Sequence, residues 1–155
     1  MILISSCLVG QPVRYDGRNQ LDLRLRQWVE DGKAMPVCPE VMGGLLVPRE
    51  PAEIVGGDGE AVWQGDGRVL TVSGQDVTEQ FKQGALQTLE ICQKHQVTMV
   101  ILKENSPSCG SHMIYNGQFD GTKQAGLGVT SALLKRYGIQ VINEKDPLIE
   151  GHCFD

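Results

Sequence analysis

The sequence is poor in basic clusters, long apolar runs, aromatic residues and paired cysteine motifs, and each shortage removes a class of function. Fourteen Lys and Arg stand against nineteen Asp and Glu, a net charge of -5, and the basic residues never gather beyond pairs such as Arg24/Arg26. That argues against a surface that tracks nucleic-acid phosphates. Residues 1–7 include an apolar stretch, but no basic lead-in precedes it and Gly10, Pro12 and Arg14 follow at once. Neither a signal peptide nor a membrane span has that pattern, so no membrane partner is expected and the reducing cytoplasm is the expected compartment. There, five cysteines, an odd number, read as thiols, metal ligands or catalytic groups rather than a disulfide framework. No two of them form a CxxC pair, which leaves zinc ribbons, thioredoxin-like redox motifs and ferredoxin runs without sequence support.

What is present suggests one domain over residues 1–155, of which 41% are hydrophobic. A chain of this length buries about two-thirds of its unfolded surface and needs no metal or disulfide merely to fold. Apolar runs at 1–6, 34–38, 98–102 and 139–142 read as strands. Residues 21–31, 77–96 and 128–137 carry the three-to-four spacing of amphipathic helices, with Asp76 and Glu79 at capping-box spacing. Strands separated by helices predict an α/β fold: an open, mainly parallel, four-stranded, Rossmann-like sheet with right-handed crossovers. Glycine clusters between Ile54 and Val72 predict an inserted surface β-hairpin, and Asn116-Gly117 a tight turn joining residues 113–115 to a run ending at Phe119. Residues 146–155 show no strong pattern.

Ligands of such sheets bind outside the carboxyl ends of the strands. Cysteine occurs there three times: Cys7 in ISSCLVG, Cys38 in MPVCPEVMGG and Cys109 in LKENSPSCGS. Ser106, Ser108 and Ser111 add donors near Cys109, and thiolates that hold a cluster need such hydrogen bonds. Cys92, on the apolar stripe of its helix, reads as core, and Cys153 has no assigned part. Two metal readings stay open. Structural zinc would take His112 as a fourth ligand, whereas an iron–sulfur cluster on three cysteines would leave one iron open as a Lewis-acid site. Glu40, beside Cys38, and Glu104, after Lys103, are candidate proton carriers. The turn Arg14, Tyr15, Asp16, Gly17 could line a pocket; Arg49, Glu50 and Glu53 are ambiguous between site and surface.

SSCLVG with RYDG, PVCPEVMGGLLVPREPAE and LKENSPSCGS together resemble the bacterial thiouracil desulfidase (2-thiouracil desulfurase) family, over residues 2 to about 143. The resemblance implies a cytosolic enzyme that converts 2-thiouracil to uracil and hydrogen sulfide with an oxygen-sensitive [4Fe-4S] cluster. It implies Cys7, Cys38 and Cys109 as the cluster ligands, with the substrate sulfur on the iron that lacks a protein ligand. It implies Glu40 as acid/base carboxylate and Ser106 as the assisting serine, Ser108 being the alternative. The chemistry so implied is non-redox, and the partner is a small thiolated nucleobase against which Tyr15, Tyr115 or Phe119 could stack. Two competing readings are a non-catalytic metal or iron–sulfur-binding module and a cysteine-nucleophile enzyme using Cys109 with His112.

Overall fold

The structure, a computed structural model, describes residues 1–151, so Cys153 lies outside the described residues. The chain enters through β1 (Ile2–Ser5), buried along its whole length, and passes into a 3-10 turn, Ser6–Val9, that Gly10 closes at φ 98°. α1 (Leu23–Glu30) starts where the Asp22 carboxylate accepts the Arg24 and Leu25 amides. β2 (Ala34–Val37) runs directly into α2 (Pro39–Met42), whose leading proline occupies a position that needs no amide donor. β3 (Ala52–Val55), α3 (Gly59–Gln64) and β4 (Arg68–Thr71) follow, then the long α4 (Thr78–Lys94) and β5 (Met99–Leu102). β6 (Met113–Tyr115), β7 (Lys123–Ala125), α5 (Val129–Arg136), β8 (Gln140–Asn143) and the short α6 (Leu148–Gly151) complete the described chain.

Four strands form the parallel sheet in the order β2-β1-β5-β8. Their continuous apolar sequence follows from burial on both faces. On one face Ile2, Ile4, Met99, Ile101 and Ile142 pack with Leu8, Leu25 and Ile149. On the other, Leu3, Val100, Leu102 and Val141 pack with Phe81 and Leu89 of α4 and Leu133 and Leu134 of α5. The chain leaves β1 for β2 on one side and later returns to β5 on the other, so the order reverses between β1 and β5. In open α/β sheets that reversal opens the crevice in which ligands bind.

The insertions depart from expectation in detail. β3 and β4 do pair antiparallel, but the segment between the glycine clusters is the helical α3 rather than a strand. Asp58 caps it through the Ala61 amide, Gly65 ends it in the left-handed region, and Trp63 Nε1 donates to the Val129 carbonyl. Nor is the ribbon superficial, since Ile54, Val62 and Val69 belong to the core. Across the second insertion, β6 pairs with β7 rather than with a run ending at Phe119, leaving 116–122 as a loop. The capping box is absent: Asp76 accepts the Thr78 amide at 2.9 Å and no side chain caps α4. Residues 148–151 of the expected patternless tail form a helical turn.

α2 crosses α4 at two glycines. A Cβ on Gly84 would overlap the Pro39 carbonyl oxygen, and one on Gly43 would overlap the Gln80 carbonyl oxygen. Alanine in an open helix would gain about 1 kcal/mol over glycine, whereas overpacking against rigid backbone costs about 1–3 kcal/mol. Gly84→Ala is therefore expected to lower the stability measured by chemical denaturation, and a stabilised variant would contradict this crossing geometry.

Candidate active site

The loops that follow β1, β2 and β5 meet at the reversal point. Cys7 lies in the 3-10 turn after β1, Cys38 precedes Pro39 at the start of α2, and Cys109 ends the tight segment after β5. All three line one cavity of about 800 Å³. Cys92, by contrast, is packed in the core. Burial, then the charge of Cys38, pushes the Cys7 thiol up to about 11. Burial likewise raises Cys38. Cys109 is raised by burial first, and after it by the charges of Glu40, Cys38 and Cys7. Cys7 thus senses Cys38, and Cys109 senses both, in a space poor in water; burial and these charges favour the protonated thiols unless metal ions replace the protons.

That donor set can be tested against the groups it would hold. Among the described residues, no three His, Cys, Asp or Glu side chains are arranged to hold a single metal ion. A polynuclear iron–sulfur core distributes its ligands over different irons, so thiols that share a cavity without meeting at one point suit it. The zinc alternative loses its fourth ligand. The His112 side chain is 63% exposed, and its Nδ1 lies 3.3 Å from Glu104 Oε2 and 2.9 Å from Ser111 Oγ. The same placement weighs against the competing reading of a Cys109–His112 nucleophile pair.

Glu40, on α2, faces Ser106 across the cavity. Ser106 Oγ donates to Glu40 Oε1 at 2.9 Å and accepts the Ser108 and Cys109 amides at 3.1 and 3.2 Å. Ser108 points elsewhere: its side chain is fully buried, with Oγ 2.7 Å from Thr130 Oγ1. Of the two serines, it is Ser106 that reaches the carboxylate. Glu40 Oε2 accepts from Arg49 Nη2 at 2.7 Å and Nε at 3.2 Å. The pairing of residues 40 and 49 is the feature that sequence reasoning missed. No periodicity relates two positions joined by an irregular loop, although an Arg set between two prolines in a stretch shared with Glu40 was a hint.

The other acidic residues have different partners. Glu104 Oε1 accepts the Asn105, Ser111 and His112 amides, while Oε2 accepts the Asn143 amide nitrogen at 2.7 Å. Burial would raise this carboxyl, but those donors outweigh it and bring it to about 2. Glu104 is therefore an ionised brace of the Cys109 loop, not a proton carrier at neutral pH. Glu53 Oε1 accepts the Gly117 and Phe119 amides at 2.9 and 3.2 Å, latching the 116–122 loop to β3. Glu50 receives Ser73 Oγ at 2.9 Å in an exposed pair. Besides Arg49, the cations Arg14 and Lys103 line the cavity, and both act on Cys7. Tyr15, Tyr115 and Phe119 all stand in the cavity wall. Asp16 turns back instead to accept the Arg18 amide at 3.0 Å.

Known proteins share this architecture. A family model described as 2-thiouracil desulfurase matches residues 2–146. The chain is 51% identical over 146 residues to the uncharacterized protein YbbK of Bacillus subtilis (strain 168), covering 94% of this chain and 97% of YbbK. It is also similar to a solved structure of the [4Fe-4S]-dependent thiouracil desulfidase TudS. That match has a TM-score of 0.82 at 48% identity and covers 92% of this chain and 89% of the other.

The Glu104 brace carries a pH signature. Its carboxyl is held below its ordinary 4.5, so its contribution is full above that value and is lost as pH falls toward about 2. Glu104→Gln is expected to cost about 1.5–3 kcal/mol at neutral pH, the value of hydrogen bonds to a charged group. Urea denaturation of the metal-free chains at neutral and acidic pH measures this. The gap between the two proteins should narrow steadily below pH 4.5, and a gap independent of pH would contradict the assignment.

Proposed function

Because the chain belongs to the 2-thiouracil desulfurase family, we propose that it is an iron–sulfur-dependent desulfidase that removes sulfur from a thiolated pyrimidine, with 2-thiouracil as the substrate to test first. The observation that carries this reading is the Glu40–Ser106 hydrogen bond of 2.9 Å in the wall of a cavity that also holds the buried thiols of Cys7 and Cys109 and the half-buried thiol of Cys38. Cys7, Cys38 and Cys109 would hold a [4Fe-4S] cluster. When bound, such a cluster would supply a Lewis-acidic iron without a protein ligand, a chemistry suited to a thiocarbonyl sulfur.

The chain's own groups handle the protons. Glu40 Oε1 takes a proton from water as the water oxygen adds to the sulfur-bearing ring carbon. Ser106, its oxygen already accepting two backbone amides, is a sharpened donor that passes a proton toward the substrate and recovers one from Glu40. Lys103 and Arg14 offset negative charge on the departing sulfur. The planar ring would lie against the cavity wall that includes Tyr15, Tyr115 and Phe119. One carbon–sulfur double bond is replaced by a carbon–oxygen double bond, so 2-thiouracil and water give uracil and hydrogen sulfide. No electron is transferred, and the reaction is non-redox. Residues 1–155 act as one domain in this reading, and a reducing cytoplasm suits both the thiols and the product. No described helix is long and apolar enough to cross a membrane.

Anaerobic reconstitution with iron and sulfide, followed by assay of sulfide and uracil from 2-thiouracil, tests the proposal. Glu40→Gln is expected to keep the cluster's visible absorption and iron content while turnover falls by about 10²–10⁴-fold. A protein that takes up no iron, or a loaded wild type without turnover, would overturn it; the latter outcome would favour a cluster-binding module.

A further inference from the structure

Glu40 is held by a side chain that the chemistry above does not use. The Arg49 guanidinium spends its donors on three separate segments: Nη2 and Nε on Glu40 Oε2, and Nη1 on the carbonyls of Val13 and Leu46, both at 3.1 Å. The Arg49 backbone amide donates in addition to the Tyr15 carbonyl at 2.6 Å. The ion pair is nearly enclosed, with 11% of the Arg49 and 15% of the Glu40 side chain exposed. An exposed pair would contribute little orientation, because water would compete for every donor and both side chains would sample other rotamers. Here the competing water is largely excluded, and a planar fork fixes where the carboxylate lies as well as its charge.

The consequence is an asymmetry between the two carboxylate oxygens. Oε2 is occupied by Arg49, while Oε1 faces the Ser106 hydroxyl. Turning the carboxyl group would break both contacts at once, so the fork on one side and the serine on the other hold its orientation. We infer that Arg49 is a positioning residue: it reserves Oε2, presents Oε1 to Ser106 for proton transfer, and ties that alignment to the Val13–Tyr15 turn in the cavity wall. This rests on the desulfidase reading, in which Glu40 is the acid/base group.

The geometry separates Arg49 from lysine. An ammonium offers no coplanar fork and cannot reach Glu40, Val13 and Leu46 together from one planar head. Arg49→Ala and Arg49→Lys are expected to bind iron like the parent and to lower kcat by about 10- to 100-fold, the usual effect of removing a partner that orients an active group. KM should change by less than about threefold, since Arg49 acts on the carboxylate rather than on the ring. Guanidinium ion added at non-denaturing concentration should restore part of kcat in Arg49→Ala with saturation, and none in the parent.

A readout independent of turnover uses the metal-free chain. In the parent, the Arg49 Nε–H should give a nitrogen–proton NMR signal protected from exchange, and Glu40→Gln should abolish that protection. The inference is overturned by unchanged kcat in both variants, by an activity loss that follows iron loss, by failure of guanidinium to rescue, or by an Nε–H signal indifferent to Glu40. Because the loaded parent is assayed alongside, absence of turnover there would instead sink the desulfidase reading.

Discussion

Three thiols gathered at the carboxyl edge of one parallel sheet, two of them buried and the third half-buried, impose the constraint on which the rest of this molecule depends. A buried thiolate is costly alone, and each further one raises the cost of the others, as the upward shifts of Cys7 and Cys109 show. The arrangement is stable as neutral thiols or as metal-bound thiolates, with little between. Its geometry comes from the sheet: β1, β2 and β5 are adjacent and parallel, so the residues leaving each strand are delivered to the same side. The glycine crossing of α2 over α4 then fixes the segment that carries both Cys38 and Glu40.

Around that edge the acidic side chains divide the work by the kind of donor each meets. Glu104 accepts mostly backbone amides and is locked in the ionised state, bracing the loop that ends in Cys109. Glu53 likewise accepts backbone amides, from the loop that carries Phe119. Glu40 is half-buried and its hydrogen-bond partners are side chains, an arginine on one oxygen and a serine on the other, with no backbone amide among them. Backbone donors fix a charge for structure, whereas a hydroxyl partner can return a proton. Glu104 also meets the Ser111 hydroxyl but is dominated by amide donors, and Glu50 is exposed; the proposed proton transfer therefore rests on Glu40.

Much of this was legible in the sequence, for reasons that also explain the gaps. The four sheet strands stand out because burial on both faces leaves uninterrupted apolar runs, as in Met99–Leu102. The cysteines stand out because each follows such a run. β7 does not: Lys123–Ala125 is exposed at both ends and has no apolar pattern, so its pairing with β6 follows only from the folded chain. The hairpin between Ile54 and Val72 forms, but α3 in its connection was not foreseen although Asp58 before it and Gly65 after it are the ordinary capping residues; with six residues, no helical period could develop. The Arg49–Glu40 ion pair and the choice of Ser106 over Ser108 are facts of loop geometry, set by which hydroxyl faces the cavity and which faces Thr130.

The central claim is that Cys7, Cys38 and Cys109 together hold a four-iron cluster with one iron free for the substrate sulfur. Mössbauer spectroscopy of the protein reconstituted anaerobically with isotopically enriched iron tests it most directly. One iron site should be distinct from the other three, its signal should change when 2-thiouracil is added, and the whole spectrum should be lost when any of the three cysteines is replaced by serine. Four equivalent irons, a spectrum indifferent to 2-thiouracil, or a full cluster in a Cys38→Ser protein would contradict it.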